Sequence, residues 1–295
     1  MEIQLNIIRK VKSGIYIAIG SPTTMIIPDE DAVYIVDLGY NVDRAKSIIN
    51  YVNKKYNKSI KFIFSHSHPD HISNPKITIG EKYIHIYEYS IANSTLLKEI
   101  LLYGAKAPKD QFTLPINNLE IDYPFNWNDN IGPIELIPLP GHSPGHTGFK
   151  FKEAIYVADT VFGDKLIRRV GIPFYSDHRE ALNSMRKLLE YAKNNYFLIL
   201  SHGPIIRGER AKELIERNIK VLMNLKRKVL EKLVKPMTLN ELTYKLTSEL
   251  ALEITSELLL LNEVTIKSII SELIDENKVE FQITNNGLKL TLRNN

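Results

Sequence analysis

The chain has 295 residues, 44% of them hydrophobic and 24% charged, an ordinary globular balance that excludes disordered, collagen-like and coiled-coil chains and suits two domains. It contains no cysteine, which excludes disulfides, thiolate nucleophiles, thiolate zinc sites and iron–sulfur clusters, so any metal must be held by histidine and carboxylate. With 38 basic and 34 acidic residues the formal charge is +4, too mild to imply a nucleic-acid partner.

The N-terminal MEIQLNIIRK carries Glu2 early and lacks an apolar stretch leading to a small-residue cleavage site, so no secretory leader is expected. Residues 3–8, 14–19, 24–27 and 32–36 are β-branched runs separated by turn residues and read as strands. A helix is expected over 42–54, with Ala45, Ile48, Ile49 and Val52 on one face. Residues 60–64 form a short apolar strand, and further strands are expected through Glu88, with Tyr83, Tyr87 and Tyr89 alternating along one of them. A helix over 91–103 precedes a stretch rich in proline and asparagine, in which Trp127 is placed at the cleft mouth. Strands return at 134–138, 147–151 and 154–158, followed by a helix over 179–192 and a strand over 196–200. Strands and helices in this order suggest α/β layers built around sheets.

The character changes after Pro204. One long helix is expected over 209–233, then helices over 238–248, 254–261 and 265–276, and a hairpin of 279–283 and 288–292 turning on Asn286-Gly287. Helices closed by a hairpin form the pattern of a winged helix-turn-helix. The expected division is a catalytic domain over 1–205 and a connecting helix with a winged-helix-like domain over 206–295. The most apolar window, 251–261, is broken by Glu253 and Glu257 and is too short to cross a bilayer. A cytoplasmic protein with no membrane partner is expected.

Chemistry concentrates in Ser65-His66-Ser67-His68-Pro69-Asp70-His71, directly after the strand 60–64. Residues two apart on extended chain project to one side, so His66 and His68 can hold one cation between them. Pro69 bends the chain, and Asp70 with His71 can face a second position. Two imidazoles leave a zinc-type ion short of ligands. The ends of later strands offer more: His142 in Pro140-Gly141-His142, then Asp159 and His202, while Asp37 ends the strand 32–36. Polar groups at strand ends on one rim of a layered fold are where open sheets place their sites.

This constellation resembles the metallo-β-lactamase superfamily. The family's His-any-His-any-Asp-His loop is matched by His66, His68, Asp70 and His71, and its Asp-any-Gly by Asp37-Leu38-Gly39. Its Pro-Gly-His loop is matched by Pro140-Gly141-His142, its strand-end Asp by Asp159, and its late His-Gly by His202-Gly203. The resemblance implies an α/β fold, an αββα sandwich followed here by a small winged-helix domain, with two metals in the cleft between the sheets. It implies that His66, His68 and His142 hold one metal, that Asp70, His71 and His202 hold the other, and that Asp159 bridges them. Two Zn2+ ions are expected, with Fe or Mn as alternatives. The C-terminal helices are similar to those of the β-lactamase-like protein 2 subgroup, which implies hydrolase or endoribonuclease activity. One departure is Ile72-Ser73-Asn74-Pro75 in place of the family's Gly-Gly, which implies a shortened following helix and an altered cleft wall.

The expected reaction is attack of a metal-bound hydroxide on an ester, thioester or lactone, or on an RNA phosphodiester, with Asp70 orienting the hydroxide and shuttling its proton. Asp37 is expected to fix a ligand histidine through its far nitrogen, and His146 to face substrate or support His142. The alternatives are an iron-dependent oxygenase of the persulfide dioxygenase type and a nucleic-acid-binding regulator with a structural metal site. Lys226-Arg227-Lys228 reads as a solvated helix face, and helix 265–276 carries only Lys267 as a basic residue. Sequence-specific DNA readout is therefore not expected, and the C-terminal unit reads as a structural or homodimerising appendage. His178 and Arg179 could reach a substrate, or simply begin their helix.

Overall fold

The computed structural model describes residues 7–12, 14–72, 76–109 and 118–293. A first sheet of seven strands runs in chain order: β1 (Ile8–Lys12), β2 (Ile15–Ala18), β3 (Thr24–Pro28), β4 (Ala32–Val36), β5 (Ser59–Phe64), β6 (Glu81–His85) and β7 (Tyr123–Phe125). Its first four strands pair antiparallel and β4 to β7 pair parallel. A second sheet holds β8 (Glu135–Pro138), β9 (Thr147–Phe151), β10 (Ala154–Ala158), β11 (Phe197–Leu200) and β12 (Ile205–Ile206) in the order β12-β11-β10-β9-β8.

Both faces of each sheet are covered, which is why the central strands are apolar at nearly every position. Alternate residues divide between two cores. Ile15, Met25, Ile27 and Val36 face Phe149, Tyr156 and Ile199 of the opposing sheet. Their neighbours Ile26, Val33 and Ile35 turn outward against Ala45, Ile48 and Val52 of helix α1 (Val42–Tyr56). On the far side, Ile155, Val157 and Leu198 pack on Leu182, Met185 and Leu188 of α5 (His178–Lys193) and on Leu214 and Leu222 of α6 (Gly208–Lys232). Helix, sheet, sheet and helix make an αββα sandwich.

Between these lie α2 (Ile86–Ala92), α3 (Thr95–Tyr103) and α4 (Asp164–Val170). After α6 come α7 (Leu239–Leu250), α8 (Ser256–Asp275) and the hairpin β13 (Val279–Thr284) with β14 (Gly287–Leu292). The long α6 serves two cores. Its Leu214 and Leu222 join the second sheet, whereas Leu225, Val229 and Leu233 pack with Leu242, Leu246, Ile266, Ile269 and Leu273 of α7 and α8.

Several expected elements differ. Tyr87 and Tyr89 lie on α2 and not on a strand, because the His85 side chain caps that helix by accepting from the Tyr87 N–H at 3.3 Å. The expected helix 91–103 is α2 and α3, broken at Asn93 and restarted by the cap of Ser94 on the Leu97 N–H. The two segments 254–261 and 265–276 are one helix, α8: Asn262, between them, and Thr265, at the start of the second, are buried on its packed face. The hairpin loop is Asn285-Asn286, one residue earlier than expected, with Gly287 alone at positive φ, 96°. Ser73, Asn74 and Pro75, where the departure from the family pattern lies, fall outside the described residues.

Candidate metal centre

The candidate groups gather on one rim of the sandwich, at strand ends. The loop after β5 carries His66, His68, Asp70 and His71. The turn between β8 and β9 carries His142 and His146, Asp159 follows β10 and His202 follows β11. Gly141 has φ 125°, and a side chain there would collide with the backbone of Ala181 on α5. A glycine is what lets the loop lie against that helix while Ser176 and Asp177 donate to the carbonyls of His142 and Gly141. Asp37 and Ala158 sit at positive φ, 51° and 44°, a conformation that costs a non-glycine residue about 1–2 kcal/mol. Each turns the chain at a strand end, and they set Asp37 itself and Asp159 into the site.

The donors form two groups. One ring nitrogen each from His66, His68 and His142 lie within 4.8 Å of one another, as do donor atoms of Asp70, His71, Asp159 and His202. Asp159 stands between them, its Oδ2 at 3.4 Å from His71 Nε2, 3.5 Å from His142 Nε2 and 3.5 Å from His202 Nε2. Its other oxygen accepts from Ser201 Oγ. Asp70 Oδ2 is 3.0 Å from His202 Nε2 and 3.6 Å from His71 Nε2.

Hydrogen-bond chemistry fixes which ring nitrogens are bare. The Asp37 carboxylate can only accept, so at 2.6 Å the His71 Nδ1 carries the hydrogen and its Nε2 is the nitrogen turned to Asp159 and Asp70. Ser65 Oγ donates to Asp37 at 2.5 Å and so accepts from His66 Nδ1 at 2.9 Å, leaving the His66 Nε2 bare. His142 Nδ1 donates to the Phe174 carbonyl at 2.8 Å, which points a bare Nε2 at His68 Nδ1, 2.8 Å away. Ser21 Oγ lies 2.6 Å from His202 Nδ1. The Nε2 atoms of His66, His68 and His71 are buried without a hydrogen-bond partner, a costly arrangement unless something positive is bound.

Burial holds the first group neutral. It pushes the His66 imidazole well below its ordinary value, His68 down to about 4 and His142 down to about 3. In the second group burial is overcome. Asp70, Asp159 and Asp37 raise His71 well above the usual range, and Asp159 and Asp70 raise His202. Burial would raise the Asp70 carboxyl, but His71 and His202 hold it down to about 2. Three imidazoles held neutral in one group, and the ionised carboxylates Asp70 and Asp159 with their histidines in the other, are donor types a divalent zinc-type cation takes, and the residues fit such an ion.

His146 neither faces the cleft nor hydrogen-bonds to His142, contrary to the expectation from sequence. It is fully buried, and its Nε2 accepts the backbone N–H of Asp159 at 3.1 Å. Trp127 stacks on His85 with ring centroids 4.1 Å apart and donates to Thr147 Oγ1; it does not line the cleft. His178 is spent on structure, 2.5 Å from Glu272 Oε2 and 3.2 Å from the Leu222 carbonyl, and Arg179 pairs with Glu272 and Asp275. In the run 226–228, Lys226 meets Glu272 and Glu276, Arg227 meets Glu231, and Lys228 meets Glu249.

Other residues that build the centre were not singled out from sequence. Buried Glu88 accepts from the Ser67 N–H at 3.0 Å and the Gly145 N–H at 2.8 Å, clamping the two histidine loops together. Half-buried Arg44 donates to the carbonyls of Ala18, Ile19 and Leu38, holding the chain near Ser21 and Asp37. Ser65 had a signal, its place between the strand and His66. Glu88, read as part of an alternating strand, and Arg44, on a polar helix turn, had none.

The cleft above the donors has a volume of about 450 Å³. Its wall is largely apolar and is shared between the sandwich, through Leu102, Phe162 and Phe174, and α8, through Leu258 and Leu261. Thus the C-terminal segment is not remote from the centre. Thr265 of α8 accepts from the Tyr175 N–H at 2.8 Å and donates to the Pro173 carbonyl at 3.1 Å, bracketing the Phe174 carbonyl that fixes His142.

Fold, strand-end placement and donor set together define a class. The chain belongs to the metallo-beta-lactamase superfamily, whose sequence profile matches residues 18–200. It is similar to the hydroxyacylglutathione hydrolase GloC of Haemophilus influenzae, 25% identical over 191 residues that cover 61% of this chain and 84% of that protein. Its fold is similar to that of the metallo-beta-lactamase family protein TTHA1429 from Thermus thermophilus, with TM-score 0.69 and 15% identity over 96% of this chain and 100% of the other. A beta-lactamase domain protein from Burkholderia ambifaria matches with TM-score 0.65 and 16% identity over 97% of this chain and 93% of its own. Among the described residues no helix is long and apolar enough to cross a membrane.

Proposed function

We propose that the protein is a metal-dependent hydrolase of acyl esters or thioesters, with two zinc ions held as the donor groups divide. His66, His68 and His142 would hold one ion, Asp70, His71 and His202 the other, with Asp159 shared. The observation that carries this reading is the convergence of seven donors in two groups, among which the buried Nε2 atoms of His66, His68 and His71 make no hydrogen bond. A pair of such ions supplies a hydroxide near neutral pH and Lewis acidity toward a carbonyl oxygen.

The chain's own residues supply the rest. Asp37 and Ser65 hold His66 and His71 in the tautomer that presents Nε2. Asp70, half-open to the cleft and 3.0 Å from His202, orients the attacking oxygen and takes its proton. Leu102, Phe174, Leu258 and Leu261 exclude water and receive an apolar acyl group. The apolar, concave cleft favours an acyl substrate over an RNA phosphodiester, in keeping with a relative named for hydrolysis of hydroxyacylglutathione. The full donor set favours two metals over the single iron of an oxygenase. We further propose that the segment after α6, with its helix pair and hairpin, is a winged-helix-like unit of the β-lactamase-like protein 2 type, recruited as a cleft wall.

The test is metal content per chain by elemental mass spectrometry on protein purified without added metal, followed by turnover with ester, thioester, lactone and single-stranded RNA substrates. About two zinc equivalents with ester or thioester cleavage is the expected result. A metal-loaded protein that cleaves none of the acyl substrates overturns the reading.

A further inference from the structure

We infer that the substrate is an apolar acyl group joined to a leaving group bearing several phosphate-type negative charges, and that this leaving group lies along Lys165, Arg169 and Arg210. The inference rests on the hydrolase reading above and adds a substrate class to it.

A second cavity, of about 750 Å³, adjoins the first. The two share Ser21, Leu166, Arg169 and His202, so they meet at the His202 edge of the donor cluster. They differ in chemistry. The first is walled chiefly by apolar side chains of α8 and the Phe174 loop, with Glu257 and Arg169 also on its lining. The second is lined by Lys165, Arg169, Arg210 and Arg217, against the acids Asp164 and Glu213. Both acids are engaged by Arg217, at 3.3 Å and 3.9 Å. Lys165, Arg169 and Arg210 have no carboxylate within 4.0 Å among the described residues.

A scissile bond over the donors therefore has a largely apolar lobe on one side and a net cationic lobe on the other. Hydrophobic burial selects the acyl side. Guanidinium and ammonium groups converging on an open groove select phosphates, which arginine binds with two parallel hydrogen bonds. The reaction balances simply. The oxygen of water bonds to the acyl carbon and the carbon–sulfur or carbon–oxygen bond to the leaving group breaks. One water proton reaches the departing thiolate or alkoxide, and the other is lost from the new carboxylic acid.

The test uses the full-length, zinc-loaded protein and two probes with one acyl group: the hexanoyl thioester of coenzyme A, with its phosphates, and that of uncharged N-acetylcysteamine. A cationic groove raises encounter with an anionic substrate by about tenfold or more, so kcat/KM should favour the coenzyme A thioester by at least about that factor at ~50 mM salt. The advantage should shrink toward ~0.5 M salt as screening shortens, and the double substitution Lys165→Gln with Arg210→Gln should cut the ratio between the two probes severalfold. Equal kcat/KM for both probes, or a ratio indifferent to salt and to the double substitution, overturns the leaving-group assignment and leaves the hydrolase reading in place. Failure of the zinc-loaded protein to cleave either probe overturns this inference, and the hydrolase reading falls with it when the ester and lactone substrates are left intact as well.

Discussion

At the sandwich rim, donors are held by side chains from neighbouring strand ends. Asp37 reaches His71, Ser65 reaches His66, and Ser21 reaches His202. At the α8 wall the arrangement is of another kind. Leu258 and Leu261 give the cleft shape without chemistry, and Thr265 acts on the centre only through the loop carrying Phe174. The rim thus sets what reaction is available, while α8 sets how tightly one ligand is oriented and what fits beside it. Substitutions in the two regions should separate along that line.

The largest effect belongs to the rim. Asp70→Asn keeps the size of the side chain but removes the proton acceptor, so kcat of the metal-loaded variant should fall by about 10²–10⁴-fold. Near-wild-type turnover in the metal-loaded variant would remove Asp70 from the mechanism. Glu88→Ala leaves the Ser67 and Gly145 N–H groups buried without an acceptor. A loss of about 2–4 kcal/mol is expected in a denaturant titration, together with weaker metal retention, since both histidine loops lose their common clamp. A variant as stable as the parent would show that the clamp is dispensable.

The same division explains what could be read in advance. The ligand motif is legible because four donors fall within six residues, and a bent extended loop admits few arrangements of them. His142, Asp159 and His202 are legible once strands are placed, since sheets deliver strand ends to one rim. The continuity of α8 was not legible, because Asn262 and Thr265 are weak helix formers whose place is decided by partners far away: Thr247 for Asn262, Pro173 and Tyr175 for Thr265. For the same reason no local signal shows that helix walling the cleft. His146 was legible as a site residue but not in its role, since nothing nearby in sequence says that its ring supports the backbone of Asp159.

Thr265→Val tests the link between the regions. Valine keeps the shape but leaves the Tyr175 N–H and the Pro173 carbonyl unpaired, and the Phe174 carbonyl then holds His142 less firmly. Outer partners of a ligand are worth about 10–100-fold in metal affinity, and a contact one bond further out should lie near the low end, about tenfold. Competition against a chelator measures it directly, and Thr265→Ser should restore retention. Reduced stability with unaltered retention would mean that Thr265 only packs.

The smallest effect should come from Glu272 on α8, which touches no donor. Burial pushes its carboxyl up, but Lys226 and His178 more than offset this and hold it below the ordinary glutamate value. A carboxyl lowered by folding contributes stability that is present above its unfolded value, about 4.3, and is lost as pH falls through the folded one. Glu272→Gln should therefore lower stability by about 1–2 kcal/mol at neutral pH, with the deficit shrinking as the pH drops below about 4. Metal retention should not change, because the ion pairs of Glu272 join α8 to α5 and α6 at the end away from the cleft. If it fell as far as in Thr265→Val, α8 would act on His142 as a rigid whole and not through the one hydroxyl.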